Sequence, residues 1–468
     1  MTARLVLRDV EVEGRRTTVV IDGGRVVAID GCGGIRPGDT VIDGAGGALL
    51  PGLHDHHLHL LAMAAARASV VVGPAVIHDL DGLRAALAGA DATLPTGAWV
   101  RAVGYHESVA GELDRDRLDA LLPHRPVRVQ HRSGACWIVN GEAANRLGLD
   151  AATEPGVERD ATGRATGRIY GADDWLGDRV PRAAPDVAAV LARLATFGIT
   201  AVTDATPTER ADELAVLARA IGGADAPVAV TVTGGPGLPD DASPQLRRGP
   251  VKLVMADHAL PGWDEVVAGF QVARRGERAV AVHCVTRAGL LLALAVWEEV
   301  GARPGDRIEH GAVIPVETVP RLAELGLTVV TQPHFVRERG DAYRRDVDPD
   351  DRPDLWRCGT LLAAGVPVGG SSDAPFGHDD PWAAMAAAVD RRTSDGPPLG
   401  PDEAIASAAA LALYLAPIAH PGGPARRLTV GAAADCCVLD RPLAAALADP
   451  AGVTVVATTV GGRLTHYR

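Results

Sequence analysis

The chain has 468 residues, of which 47% are hydrophobic and 22% charged, and its net charge is −13. That length asks for one large domain plus a smaller one, and the composition excludes a disordered tail. The acidic balance argues against nucleic acid or an anionic membrane as partner, and its plain meaning is solubility.

The first fifty residues alternate apolar and polar in "RLVLRDVEVEG", "TTVVIDGGRVVAIDG" and "DTVIDGAGGALLPG". Period-two runs split by Gly-Gly and Asp-Gly predict strands and hairpins. Next comes "PGLHDHHLHL" (51–60), with two H-x-H pairs, His54/His56 and His57/His59. On strict alternation only one pair faces a given side of a strand. With His57 and His59 inward, Leu58 and Leu60 meet a helix layer. The opposite register presses Asp55, His57 and His59 against helices without partners, which buried polar groups make costly. The first register is therefore expected. His54 and His56 then lie on the other side, with local hydrogen bonding, and should tolerate replacement better.

From about 61 to 190 the pattern changes. "GAWVRAVGYHES" and "RPVRVQHRSGACWIVN" read as strands of a long insertion. Beyond it, short apolar runs alternate with helical stretches. The runs are "GITAVTDAT" (198–206), "VAVTVTGG" (228–235), "PVKLVMADH" (250–258), "AVAVHCV" (279–285), "DRIEHG" (306–311), "GLTVVTQPH" (326–334) and "GVPVGGSSDAP" (365–375). "RAGLLLALAVWEEVGA", "VETVPRLAELG" and "TLLAAG" are helix-like. Strand–helix alternation implies parallel strands with crossovers. With the histidine-rich run in front, the strand count is eight, which favours a (β/α)8 TIM-like barrel. A doubly wound open sheet has less support, since no G-x-G-x-x-G opens a helix. "AIASAAALALYLAPIAHP" predicts a packed helix. The last forty-five residues are strand-rich again, "RRLTVGAAADCCVLD" and "GVTVVATTVGGRLTHYR". The expected α/β architecture is thus a barrel over 51–423, carrying the insertion after its first strand. A small β-sandwich would form from 1–50 and 424–468.

The six cysteines are scattered, Cys436 and Cys437 are adjacent, and no C-x-x-C occurs; a reduced, cytoplasmic chain is expected. The opening "MTARLVLRDVEVEGRR" has no signal-peptide apolar stretch. No run reaches the ~20 apolar residues of a membrane helix.

Barrel enzymes carry their chemistry at the C-terminal ends of strands. The runs end in His57 and His59, His283, His310 and Asp373, and Lys252 lies inside an apolar strand. Each residue alone reads as structural: a hydrogen-bonded histidine, or a lysine that snorkels. The ordered set is more specific, because buried imidazoles and carboxylates need partners and a divalent metal satisfies several at once.

These residues carry a resemblance. "PGLHDHHLH" resembles the P-G-x-x-D-x-H-x-H strand of the amidohydrolase superfamily. "VKL", "VHC", "IEHG" and "SSDAP" follow in that family's order, and "TVGAAADCCVLD" is similar to its closing stretch. The insertion and "SDAPFGHDDPWAAMAAAVDRR" most resemble the N-substituted formamide deformylase-like branch. The resemblance implies two divalent metals, zinc first, with manganese, iron or nickel as alternatives. His57, His59 and Asp373 would hold one, and His283 and His310 the other. Lys252, carboxylated by CO2, would bridge them. It further implies hydrolysis of a C–N bond in an amide, N-acyl, N-formyl or cyclic amide small molecule by a hydroxide bridging the metals. Asp373 would act as general base then acid, and His310 is the second catalytic candidate. The superfamily also contains mononuclear deaminases of cyclic amidines, which lack the lysine bridge. A catalytically inactive barrel scaffold is the third reading.

Departures from the branch fall on the pocket. "HCVTRAG" lacks an Asp, "SGACWIVN" has Ala135 at a histidine position, and Asp257-His258 replace a D-G pair. Substrate-contact candidates are Tyr105, His106, Cys136 and Asn140 in the insertion, beside Trp137, and His334, Arg337 and His378 after the later strands. Arg337 at the mouth would favour a substrate carboxylate. Cys136 and Cys284 read as bystanders, and the serine-hydrolase elbow G-x-S-x-G is absent. A homo-oligomer, most simply a dimer, is the expected assembly.

Overall fold

The computed structural model describes residues 4–30, 34–181, 185–207, 211–222, 228–235, 238, 246–256 and 259–468. The chain divides into two compact units, Met1–Leu60 with Val187–Arg468, and Leu61–Asp186.

In the first unit, Leu5–Val12, Arg15–Asp22 and Arg25–Ile29 form an antiparallel meander, with Thr40–Asp43 added parallel to the first strand. The turn at Gly23-Gly24 has φ of +54° and +77°, which glycine adopts without a Cβ clash. From the other end, Cys436–Leu439, Val455–Val460 and Arg463–Tyr467 form a second sheet, with Leu49–Pro51 at its edge. One apolar cluster joins residues of both sheets, including Leu5, Leu7 and Ile21 with Leu49, Val438 and Ala457. The first strand, Leu5–Val12, mixes buried apolar with exposed polar residues, whereas Cys436–Leu439 of the second sheet is buried throughout. Gly52 then carries the chain into the next strand. A Cβ there would lie 2.1 Å from Thr200 Cγ2, so the passage needs glycine.

Two parallel sheets follow, giving an α/β architecture. One has the order Leu246–Arg248, Ala229–Val232, Ile199–Asp204, Leu53–Leu58. The other runs Val251–Val254, Val280–Cys284, Arg307–His310, Thr328–Thr331, Val368–Gly370. Backbone hydrogen bonds cross between them at both edges: Lys252 N donates to Gly234 O at 3.0 Å, and Asp373 N donates to His57 O at 2.8 Å. The short strand Leu246–Arg248 was not expected from the sequence. Pro250 has no amide hydrogen, so the ladder stops at Arg248 and resumes at Val251.

Helices pack against these strands by the usual apolar stripe. Arg287–Val300 buries Leu290, Ala293, Leu294 and Trp297, the spacing of one helix face. Thr286 caps its start by accepting from Gly289 N at 3.2 Å. Beneath the ligand-bearing strands lies Asp306, fully buried. Its carboxylate accepts from Val280 N (2.8 Å), Trp297 Nε1 (2.9 Å), Arg303 N (2.9 Å) and Arg274 Nη1 (2.8 Å). One side chain thereby ties the starts of the His283 and His310 strands.

The second unit is a six-stranded sheet in the order Val157–Arg159, Ala165–Tyr170, Cys136–Val139, Val127–His131, Val100–Tyr105, Val70–Val71. Leu83, Leu87, Val100, Val127, Val129 and Ile138 form its main core. Among the described residues the cysteines are buried, and no helix is long and apolar enough to cross a membrane.

Replacing Asp306 with Ala should strand the buried Arg274 guanidinium and lower stability by about 3–5 kcal/mol, read as a lower denaturant midpoint. A loss under 1 kcal/mol would contradict this role.

Candidate metal centre

The strand Leu53–Leu58 is buried along its whole length. It does not alternate strictly. Val202 of the neighbouring strand pairs with Asp55, yet Asp204 pairs with Leu58, so the register shifts between them. The extra residue is a bulge, which breaks the two-residue period. The expected opposition of the two H-x-H pairs therefore fails in part. His57 bonds Glu309, and His56 also lies within electrostatic reach of Arg307 and Glu309. His56 is fully buried, and neither ring nitrogen has a hydrogen-bond partner. Burial, then the charges of Arg307 and Arg426, push its pKa down to about 3, so the ring is neutral. The local hydrogen bonding expected of His56 is therefore not found.

His57 and His59 both face Asp373. Asp373 Oδ1 lies 3.4 Å from His57 Nε2 and 3.2 Å from His59 Nε2. One donor atom from each of the three lies within 4.8 Å of the others. Asp373 Oδ2 is 4.0 Å from His310 Nδ1. The His310 ring lies 4.7 Å from that of His57 and 4.5 Å from that of His283. Both Asp373 and His310 hold positive φ, +52° and +70°. Such backbone costs about 1–3 kcal/mol per residue and gathers at functional sites.

Three polar residues that the sequence reading passed over anchor these rings. His57 Nδ1 contacts Glu309 Oε2 at 2.5 Å, and Arg307 Nε donates to Glu309 Oε1 at 2.7 Å. His59 Nδ1 meets Thr206 Oγ1 at 3.2 Å, and Thr206 Oγ1 donates to Asp204 at 2.6 Å. His310 Nδ1 donates to Gln332 Oε1 at 2.9 Å, and Gln332 Nε2 donates to Ser371 Oγ at 2.8 Å. Holding Nδ1 fixes the tautomer and leaves Nε2 for a ligand. The signal was present for Gln332, a polar residue that closes the apolar run "GLTVV", but not for Glu309, which stands among the polar residues of "DRIEHG".

Lys252 is buried and its amine has no hydrogen-bond partner. Burial pushes its pKa down to about 8 against the pull of Glu309. Burial likewise pushes His57 down to about 3. The Asp373 carboxyl is held well below the usual range: burial opposes this, but His310, His59 and His57 together outweigh it. The site thus offers imidazoles, a carboxylate and an amine that deprotonates readily.

This set fits a divalent metal. At 3.4 and 3.2 Å the His57 and His59 contacts with Asp373 are at or beyond the long end for N–H···O bonds. They match the ~3.3–3.5 Å edge of a tetrahedron with metal–ligand bonds of about 2.0–2.2 Å. The buried His57 Nε2 has no hydrogen-bond partner, which a metal would satisfy.

The substrate-contact candidates fare differently. Asn140 is fully buried and its amide is saturated. Its Oδ1 accepts from Val127 N and Ala143 N, and its Nδ2 donates to Leu122 O and Arg125 O. It caps a helix and has no capacity left for substrate. Tyr105 is buried with its hydroxyl donating to Gly111 O, and Cys136 is buried in the same core. Arg337 pairs with Asp390 at 2.6 Å, so its charge is already matched. His334 Nε2 donates to Ser372 O at 3.0 Å and braces the Asp373 loop. His378 is exposed and accepts from Asp380 N at 3.1 Å. His106 lies beside Glu107 and His131 in the second unit. Asp257 and His258 lie outside the described residues.

Removing the charge of Glu309 by Glu309→Gln should weaken metal binding about 10–100-fold, with the fold retained by circular dichroism. Unchanged affinity would show that His57 needs no anchor.

The geometry agrees with comparison to known proteins. A model of the amidohydrolase family matches residues 40–466. The chain is 26% identical to the N-substituted formamide deformylase of Arthrobacter pascens, over 96% of this chain and 95% of that one. Among solved structures it is similar to metal-dependent hydrolases of Pyrococcus horikoshii (TM-score 0.74, 21% identity, 99% of this chain and 100% of that chain) and Pyrococcus furiosus (TM-score 0.71, 21% identity, 94% and 99%). The chain belongs to the amidohydrolase family, and is a metal-dependent hydrolase acting on carbon–nitrogen bonds other than peptide bonds.

Proposed function

We propose that this enzyme hydrolyses the C–N bond of a small amide, N-acyl, N-formyl or cyclic amide compound at a centre of two divalent ions, zinc first. The observation that carries this is the convergence of His57, His59 and Asp373 donor atoms within 4.8 Å, beside a buried amine without a hydrogen-bond partner. The Arthrobacter relative, named for N-substituted formamides, supports the amide class. Ala135 and the missing Asp after His283 depart from that branch and argue for a different substituent on the substrate nitrogen.

The hydrogen bonds joining the two parallel sheets at both edges support reading them as one (β/α)8 barrel. The cluster shared by the two terminal sheets supports a small β-sandwich domain. In this reading His57, His59 and Asp373 hold one ion and His283 and His310 the other. The Lys252 amine would add CO2, forming an N–C bond and releasing one proton, and the carbamate would supply an anionic ligand to the ions. When bound, the ions polarise a substrate carbonyl and lower the pKa of water toward about 7 in the best case. Asp373, already ionised, accepts the proton of the attacking water and delivers it to the leaving nitrogen. Glu309, Thr206 and Gln332 keep the imidazoles aimed while this happens.

Chelation should abolish hydrolysis of N-formyl, N-acyl and cyclic amide compounds, and zinc or manganese should restore it. Asp373→Asn should lower kcat about 100-fold or more. Peptide mass analysis should find Lys252 heavier by one CO2. Metal analysis should find two ions more in the wild type than in a His57→Asn, His283→Asn variant. A difference of one ion with an unmodified lysine would replace this reading with the mononuclear deaminase. Bound metal with no turnover across the panel would leave a scaffold.

A further inference from the structure

The histidine strand has a second end. His57 lies toward the C-terminal end of Leu53–Leu58, whereas His54 is the second residue of that strand. There His54, Ala201, Ala229 and Arg247 line a cavity of about 370 Å³. They belong to four neighbouring parallel strands, and Ala201 pairs with both His54 and Ala229, so they form one continuous floor. The opposite wall includes Ile418, Arg426 and Asp435, from the segment that follows the helix Ser407–Leu415. The proposed metal centre uses none of these side chains.

The charged groups lining the cavity are Arg247, Arg426, Arg427 and Asp435. Arg427 is already matched, since its Nε donates to Glu13 Oε1 at 2.7 Å. Arg426 is fixed by backbone: its Nε donates to Leu415 O at 3.1 Å and its Nη2 to Gly52 O. Those two bonds leave its Nη1 unused. Asp435 acts on Arg426 electrostatically, and its Oδ1 accepts from Gly461 N at 2.6 Å. Arg247 is exposed, and among the described residues no hydrogen bond or ion pair engages it. One carboxylate thus faces two guanidiniums. The cavity keeps a positive surplus in a chain whose net charge is −13. His54 adds no charge, because burial and then Arg426 hold its pKa well below the ordinary value.

The plain alternative is a solvated surface arginine beside a structural one. The cavity counts against it. Its volume falls in the range of about 300–1,000 Å³ typical of small-molecule sites, and such sites are mostly apolar with a few fixed polar groups. Pro51, Ala201, Ala229, Pro417 and Ile418 supply the apolar wall here. The planar fork of a guanidinium suits a carboxylate or a phosphate equally, in paired hydrogen bonds. A bare inorganic ion would leave the apolar wall without contact.

We propose that this cavity is a second ligand site, which binds a small organic anion. Arg247 and Arg426 recognise its carboxylate or phosphate group, and Ile418 with the alanines of the floor packs against its apolar body. Arg426 is the fixed element, and Arg247 closes on the ligand from the exposed side.

The test is calorimetric titration of the full-length enzyme, carrying its metals, with benzoate, phenyl phosphate and inorganic phosphate. At least one of the two aromatic anions should bind saturably at one site per chain, and the tighter of them tells carboxylate from phosphate. Arg247→Ala should weaken this binding about 10-fold or more, and Arg247→Glu should abolish it. Arg247 is exposed, so both variants should keep the wild-type circular dichroism. His57→Asn, which alters the proposed metal centre, should leave the binding unchanged. The two sites are thereby tested separately. No saturable binding of either aromatic anion, equal affinity in the wild type and both Arg247 variants, or binding lost in His57→Asn would overturn the site. Inorganic phosphate bound as tightly as the aromatic anions would overturn it too, since the apolar wall would then contribute nothing.

Discussion

The site depends on one buried carboxylate. Glu309 is fully buried, and an unpartnered carboxylate there would cost several kcal/mol. Arg307, two residues earlier on the same strand, neutralises one oxygen, and His57 Nδ1 occupies the other. Burial alone would raise the Glu309 pKa, but Arg307 and His57 hold it well below the ordinary carboxylate value. The pair therefore keeps a negative charge in the interior and spends it on orienting one imidazole. That orientation leaves His57 Nε2 facing Asp373. Thr206 and Gln332 do the same for His59 and His310 through neutral groups. Ligand chemistry here is as much a property of the anchoring residues as of the histidines.

The backbone carries part of the cost. Asp373 and His310 sit at positive φ, a region uncommon for residues other than glycine though Asp and His enter it more often than most. Surrounding bonds over-determine the Asp373 segment. Asp373 N donates to His57 O, His59 N donates to Ala374 O, and Ser372 N donates to Asp55 Oδ1 at 3.2 Å. Asp55 also accepts from His57 N at 3.1 Å, so one side chain braces the histidine strand and the Asp373 loop together. Burial pushes Asp55 up to about 7, against the bonds it accepts from Ser372 and His57. Such local strain persists where the scaffold beneath is firm, as Asp306 makes it under the His283 and His310 strands.

Much of this was legible in the sequence. Polar residues at the ends of short apolar runs marked positions of which the structure brings His57, His59 and Asp373 together, with the His310 ring beside His57. The β-rich ends were readable from period-two patterns and glycine turns. What escaped were features decided by neighbours. The bulge between Asp55 and Leu58 is set by pairing with Val202 and Asp204, and no local pattern shows it. The strand Leu246–Arg248, just before Pro250, lay outside the expected run 250–258. Asn140 looked like a pocket residue, but its four hydrogen bonds run to backbone groups from 122 to 143 that are invisible as a motif. Glu309 was quoted within a strand and passed over, because a carboxylate next to a histidine does not announce which strand it faces.

The central claim is that His57, His59 and Asp373 converge on a metal ion. The most direct measurement is an anomalous difference map from crystals of the zinc-loaded enzyme, collected on both sides of the zinc absorption edge. The account predicts a peak bonded to His57 Nε2, His59 Nε2 and Asp373, joined through a modified Lys252 to a second peak at His283 and His310. Zinc fully bound elsewhere on the chain, with these side chains still packed against one another, would contradict it.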